Sequence, residues 1–336
     1  MRSPRLSRIS LTATAGLAVA LLAVGCSSGS SNPGSSGSSA SASPSTAKLE
    51  QTSITVGALP VVDSAGLYLA LQNGYFRQAG LTVKISPVTQ SPQAIPDMQK
   101  GTIDVVAGAN YVSFFQAAVV KHLPVKLLVD GESCTDNTFQ VLALPSSGIT
   151  SPAGLAHKRI AVNITNNIQT MLANTALQTA GVNPASVTYV KVPFPEMGDA
   201  LRSGAVDAIS VVEPFITESE LKIGAQPIMS TCTGPTANFP ISGYFALSPF
   251  TQKYPNTARA FVAALERGQA LADSNRAAVE EILPTYIPKL TANQAAVVNL
   301  GQYPTSLDKT HLQRVADAMT KAHLAPGFQV SSLLFH

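Results

Sequence analysis

Twelve side chains, nearly all polar, lie where the sequence predicts that β-strands end, and together they could hold a small solute. Ligands of open α/β sheets bind outside the carboxyl ends of the strands, so we expect these positions to face one site. Amide, hydroxyl and carboxylate groups would supply its hydrogen bonds and charge. The predicted ligand-binding residues are Val62, Asp63, Ser64, Asn110, Tyr111, Glu132, Asn163, Thr165, Asn166, Asn167, Glu213 and Tyr244.

Most of these residues also have a purely structural interpretation, which the sequence leaves open. Asp63 or Ser64 could cap the helix that follows them. The polar run Asn163–Asn167 is also typical of a turn, and Glu213 could accept hydrogen bonds within a turn before a proline. The two tyrosines could pack at the rim of a site without touching a ligand.

The charge at these positions is negative. Asp63, Glu132 and Glu213 contribute carboxylates, and the predicted strand ends carry no Arg or Lys. Backbone N–H groups at the helix starts near Ser64 and Asn166 favour an anionic group such as a sulfonate. The missing cation, however, removes the strongest partner of such a group. A neutral or cationic heterocycle is therefore the alternative to an anion.

The sequence shows no set of residues that would form a catalytic site. The histidines lie away from the predicted strand ends, and no two have the spacing of metal ligands. The folded part has no Gly-x-Ser-x-Gly elbow, P-loop or Cys-x-x-Cys motif. We therefore expect a binding protein rather than an enzyme, with no cofactor and no metal. The histidines are His122, His157, His311, His323 and His336.

Two series of alternating strands and helices must position these residues. The β-rich run Ile54–Leu59 precedes a predicted helix over 65–73. The alternation restarts at Arg159–Val162, followed by a helix through Ala180 that Thr165 or Asn166 could cap. This spacing is typical of βαβ units and predicts two α/β lobes. A helical C-terminal third follows, in which Thr291 and Gln294 form a predicted capping box.

The first 48 residues predict export rather than fold. Residues 1–25 combine three arginines with an apolar run, as in a secretory signal peptide. The run ends in Leu22–Cys26, which resembles the lipobox of bacterial lipoproteins, and the resemblance implies that Cys26 carries the lipid. Residues 26–48 contain eleven serines and one charge, which predicts a flexible tether.

Charge and cysteine content narrow the possible partners. Three of the 22 basic residues lie in the signal, so the remaining chain has 19 basic and 19 acidic residues. Such a neutral chain has no basic face for nucleic acid. Beyond Cys26 the chain holds Cys134 and Cys232, which we expect to form a disulfide in an oxidising compartment; two buried free thiols are the alternative.

Several motifs, in order, resemble one family. They are Ile54–Pro60 (ITVGALP), Gly66–Phe76 (GLYLALQNGYF), Lys100–Ala107 (KGTIDVVA) and Glu213–Phe215 (EPF). Their order and spacing are similar to those of the ABC-importer binding proteins for aliphatic sulfonates, taurine, nitrate and thiamine pyrimidine precursors. The similarity runs from about residue 52 to residue 335.

The resemblance implies a type II periplasmic-binding-protein fold, with two mainly parallel sheets joined by two crossovers near Val141–Leu144 and Ser242–Phe245. Lobe 1 would comprise residues 49–143 and 243–336, and lobe 2 residues 144–242. The resemblance also implies a monomer, lipid-anchored on the outer face of the membrane, that delivers a solute to an ABC permease and its ATPase. The alternatives are a protein that binds or makes a thiamine pyrimidine precursor, and a sensor lipoprotein.

Overall fold

Two five-stranded sheets form the scaffold of the computed structural model, which describes residues 48–336. The signal peptide, Cys26 and nearly all of the tether lie outside the described residues, so these expectations stay predictions. None of the helices in the described part of the chain has the length and apolar character needed to cross a membrane.

The first sheet has the strand order β2-β1-β3-β10-β4, and the second has the order β7-β6-β8-β5-β9. Each contains two parallel and two antiparallel pairings, so the sheets are mixed rather than mainly parallel as we expected. The strands are β1 (Ser53–Ala58), β2 (Thr82–Pro87), β3 (Val105–Asn110), β4 (Val125–Ser133), β5 (Phe139–Ala143), β6 (Arg159–Val162), β7 (Thr188–Lys191), β8 (Ala208–Val212), β9 (Gln226–Ser230) and β10 (Pro240–Leu247).

The chain passes between the sheets twice, at residues 134–138 and 231–239. Both crossings come before the positions that we expected, because β5 already belongs to the second sheet and β10 to the first. The crossing segments run side by side, since Cys134 N donates to Phe239 O and Thr231 N donates to Phe139 O, each at 2.9 Å.

The predicted disulfide is present and joins the two crossing segments. Cys134 and Cys232 are bonded, with their Cα atoms 5.9 Å apart and 98 residues of separation along the chain. Both are buried. The bond therefore links the two crossing segments, about which the lobes would move.

The helices cover both faces of each sheet, and several of their expected caps differ. Thr291 forms the predicted capping box with Gln294. Asn167 rather than Thr165 or Asn166 caps α5, and Ser64 makes no cap, because its hydroxyl donates to Leu59 O instead. The helices are α1 (Ala65–Gln72), α2 (Tyr75–Gln78), α3 (Ile95–Lys100), α4 (Tyr111–Val119), α5 (Ile168–Thr179), α6 (Phe194–Arg202), α7 (Phe215–Ile223), α8 (Ser248–Lys253), α9 (Pro255–Ser274), α10 (Arg276–Tyr286), α11 (Ala292–Ala295) and α12 (Lys309–Lys321).

The C-terminal helices pack back on the first sheet. Helix α9 lies against α1 and β4, and α12 lies against α4 and β10. Phe261 of α9 stacks on Phe76, with ring centroids 5.1 Å apart, in a cluster that also holds Ile54 and Val56 of β1. This packing fixes the carboxyl ends of the first sheet's strands, where the predicted site residues lie.

Candidate functional site

A small cavity lies between the two sheets and is lined by residues from both. Its volume is about 40 Å³, a few times the ~10–15 Å³ that one water molecule requires. The polar side chains in its wall are Asp63, Ser91, Asn110, Asn163, Asn167 and Gln169. The remaining wall is formed by Leu59, Val61, Gly108, Phe139, Ile168, Phe194, Val212 and Ile241.

The wall on the side of the first sheet is built by the loops after β1 and β3. Asp63 lies in a short 3₁₀ turn at 62–64. Gly108 lets β3 approach this turn, because its φ is 63° and a Cβ atom there would come within 2.7 Å of Ser64 Oγ. Asn110 begins α4, and its Oδ1 accepts a hydrogen bond from Ser113 N at 2.9 Å. Its N–H donates to Ser91 Oγ at 3.2 Å.

The opposite wall is a chain of hydrogen bonds that begins at the end of β6. Asn163 N donates to Gln169 Oε1 at 2.8 Å, and Gln169 Nε2 donates to Ser210 O at 2.7 Å. Asn167 Oδ1 accepts from Gln169 N at 3.2 Å. Asn163, Asn167 and Gln169 are all buried. Their side chains are therefore fixed in place at the cavity.

Hydrogen bonds of Gln90 join the two lobes beside the cavity. Gln90, which precedes the cavity residue Ser91, donates from Nε2 to the main-chain O and to Oδ1 of Asn163, at 3.2 Å each. The cavity is small in this closed arrangement, so a larger solute requires the Gln90–Asn163 contact to open or the wall to move.

A pair of buried carboxyl groups lies directly behind the first wall. The Asp63 side chain lies beside the Glu132 carboxyl group, and Glu132 Oε1 accepts from Gly301 N at 3.0 Å. Burial raises the pKa of both carboxyl groups, and the neighbouring charge of Asp63 raises the pKa of Glu132 further. Two adjacent buried carboxylates repel each other, which disfavours ionisation of both groups at once.

Four of the twelve predicted residues, Asp63, Asn110, Asn163 and Asn167, line the cavity. Thr165 and Asn166 do not: both are exposed, and Asn166 has a φ of 55°, which an asparagine in a turn tolerates. The structure therefore gives these two the turn role that the sequence left open.

The other six predicted residues are buried in the fold outside the cavity wall. Their polar atoms have partners within the protein. Val62 O accepts from Tyr303, Ser64 donates to Leu59 O, Tyr111 donates to Asp130 at 2.6 Å, Glu132 accepts from Gly301, Glu213 accepts from Thr217 and Asn299, and Tyr244 bonds to Gln269 at 3.4 Å. These partners give each of the six a structural role.

Some residues at the cavity follow the edge strands of the two sheets and were not among the predicted ligand-binding residues. Ser91 and Gln90 come after β2, and Phe194 comes after β7. The rule that ligands bind at carboxyl ends of strands applies to these strands too, and would have found them. Phe139 begins β5 just after a crossing segment, and only the strand order brings it to the cavity.

Metal coordination has no preformed site here. Among residues 48–336, no group of three or more His, Cys, Asp and Glu side chains is arranged to hold a metal ion.

Comparison with known proteins identifies the family of this chain. Residues 61–277 match the family model described as NMT1/THI5 like. The chain belongs to this family. The nitrate/nitrite binding protein NrtA of Nostoc sp. is 23% identical in a 290-residue alignment that covers 78% of this chain and 65% of that protein. The chain thus spans less than two thirds of this relative's length.

Solved structures identify the fold. The periplasmic aliphatic sulphonate binding protein SsuA of Escherichia coli has a TM-score of 0.68 at 18% identity, covering 84% of this chain and 97% of that one. The desulfurization enzyme DSZB has a TM-score of 0.63 at 16% identity, covering 84% and 96%. The expected two-lobed periplasmic-binding-protein fold is therefore confirmed, and at these identities it is compatible with binding proteins and enzymes alike.

Proposed function

We propose that this chain is the extracytoplasmic solute-binding component of an ABC importer. The observation that carries the proposal is the cavity between the sheets, whose polar wall combines Asp63 and Asn110 from one lobe with Asn163 and Asn167 from the other. A solute that contacts both walls stabilises the closed arrangement of the lobes. The names of two similar proteins, one nitrate-binding and one sulphonate-binding, support the same function.

Closure about the two crossing segments would couple binding to delivery. In an open form the Gln90–Asn163 contact is broken and solvent reaches Asp63 and Asn167. Binding shifts the population towards the closed form, which a permease can distinguish from the open one because the two lobes then present one continuous surface. The disulfide between the crossing segments limits how far the lobes can separate.

The sheet membership supports two lobes with boundaries at the crossing segments. The first would comprise residues 49–133 and 240–336, and the second residues 139–230. We further propose that the signal peptide at 1–25 is removed, that Cys26 carries the lipid and that residues 26–48 tether the monomeric binding unit to the outer face of the membrane. Labelling with a radioactive fatty acid, compared between the native chain and Cys26→Ala, tests the anchor.

The function is tested by measuring solute binding and turnover on the same sample. We expect at least one of a panel of sulfonates, taurine, nitrate, pyrimidines and polyamines to raise the melting temperature of the purified chain without being consumed. Asn163→Ala should abolish the rise, whereas Asn183→Ala, at an exposed turn, should leave it intact. Steady conversion of a compound would instead favour an enzyme, as in the structurally similar desulfurization protein.

A further inference from the structure

We propose that the cavity selects compact solutes bearing a positively charged N–H donor and discriminates against sulfonate and nitrate. This inference rests on the proposed solute-binding function and specifies the chemistry of the same site. It departs from the anions named for the similar nitrate- and sulphonate-binding proteins.

The charged groups around the cavity are acidic. Among residues 48–336, Asp63 is the only ionisable residue that lines the cavity, and no Lys, Arg or His of this range does so. Glu132 lies behind Asp63, and the charge of Glu213 also acts on Glu132. An anion in this cavity would face carboxyl groups with no cation in the wall to compensate, whereas an ammonium group beside Asp63 would gain a charge-assisted hydrogen bond.

The helix starts at the cavity offer an anion fewer donors than their position suggests. Asn110 Oδ1 already accepts from Ser113 N at the start of α4, and Asn167 Oδ1 accepts from Gln169 N at the start of α5. Free first-turn N–H groups are what make a helix start attractive to an anion. Here two of them are occupied by the side chains that line the cavity.

The second wall presents acceptors as well. The main-chain O and Oδ1 of Asn163 both receive a hydrogen bond from the Gln90 amide, a neutral N–H donor supplied by the other lobe. A solute with N–H groups can take over these acceptors when Gln90 moves away. Asp63 on one wall and Asn163 on the other would then bind the same charged end.

The apolar part of the wall limits the rest of the solute. Phe139 and Phe194 face it with Val61 and Val212, and Phe194 is held by stacking on Phe215, with centroids 5.3 Å apart. A small aliphatic or aromatic body fits these surfaces, which bury apolar area without offering hydrogen bonds.

Three probes that share a benzyl group test the inference, with binding measured by calorimetry on the full chain at pH 7. They are benzylamine, which is cationic, benzyl alcohol, which is neutral, and phenylmethanesulfonate, which is anionic. We expect benzylamine to bind at least about ten-fold tighter than the sulfonate, the factor for one charge-assisted hydrogen bond. Asp63→Asn should reduce this ratio at least about ten-fold. Asp104→Asn, a matched change at the opposite end of the first sheet, should leave the ratio unchanged.

The outcomes separate the two proposals. Tighter binding of the sulfonate or of nitrate, with a ratio that Asp63→Asn does not alter, would overturn the cation inference and leave solute binding intact. If neither these probes nor the wider solute panel binds in an Asn163-dependent way, both proposals fail. The native chain alone gives the probe ratio, so the test does not depend on folding of a variant.

Discussion

Gln90 of the first lobe and Asn163 of the second are joined by two hydrogen bonds of 3.2 Å that share one donor nitrogen. They are 73 residues apart in the chain, and neither belongs to a crossing segment. The lobes are also joined by Asn299, which donates to Glu213 Oε1 from N and from Nδ2 at 2.9 Å each. Removing the Gln90–Asn163 contact should therefore shift the balance towards the open form without breaking every hydrogen bond between the lobes.

Gln90→Ala should open the lobes in the absence of solute. A net contribution of about 1 kcal/mol for such a hydrogen-bonded contact corresponds to a shift of roughly five-fold in the closed-to-open ratio. The radius of gyration from small-angle scattering should increase, with the melting temperature nearly unchanged. Gln93→Ala is the control, because Gln93 is exposed and its side chain bonds only to Thr89. Equal radii for the two variants would contradict the contact's role.

Local patterns predicted the scaffold well, because its elements are encoded locally. The alternation of β-rich runs and amphipathic stretches predicted the strands of both sheets. In the folded chain Asp63, Asn110, Asn163 and Asn167 lie at one cavity, as expected if ligands bind at the carboxyl ends of strands.

The remaining site residues depended on contacts that no local pattern contains. Segment 299–303 folds back over three of the predicted positions: Asn299 donates to Glu213, Gly301 donates to Glu132, and Tyr303 donates to Val62 O. These pairs are 86 to 241 residues apart. Burial by this segment, rather than any feature of the residues themselves, removes them from the cavity wall.

The disulfide should contribute substantially to the free energy of unfolding. Its loop of about 100 residues corresponds to ~4.7 kcal/mol in the chain-entropy model. We expect the double change Cys134→Ser with Cys232→Ser to lower the unfolding free energy by about 2–5 kcal/mol, measured by urea denaturation. Reducing agent should destabilise the native chain by a similar amount and leave the double variant unaffected; a denaturation curve of the native chain that does not respond to reduction would refute this.

Stability should fall with rising pH because of Asp130. Burial raises the pKa of this carboxyl group from 3.8 to about 7, while Tyr111 and Gly131 N hydrogen-bond to Oδ1. A raised pKa means that the folded state holds the proton more tightly than the unfolded state. The stabilising contribution is therefore complete below pH 4 and is lost as the pH rises through 7, at about 1.4 kcal/mol per pH unit.

Asp130→Asn isolates this effect, because the amide keeps the side chain's shape and does not titrate. Relative to the native chain, the variant should gain roughly 4 kcal/mol in unfolding free energy between pH 4 and pH 8. This is the product of the pKa shift of Asp130 and the free energy per pKa unit. Urea denaturation across that range measures it. Parallel pH profiles for the two proteins would show that Asp130 titrates normally in the fold.

Gly301→Ala should disturb the acid pair from outside the cavity. A Cβ atom at this position would lie 2.2 Å from Glu132 Oε1 and 2.6 Å from Ser133 O, so either the 299–303 segment or the Glu132 carboxyl group must move. Overpacking of this kind costs about 1–3 kcal/mol, and the hydrogen bond from Gly301 N to Glu132 is weakened with it.

Gly327→Ala is the matched control, since a Cβ there meets nothing within 4 Å. Thermal denaturation should therefore separate the two variants. If the proposed solute site is correct, Gly301→Ala should also weaken solute binding, because Glu132 lies beside Asp63 at the cavity wall. Equal melting temperatures for the two alanine variants would mean that the segment yields without strain and does not fix the carboxyl pair.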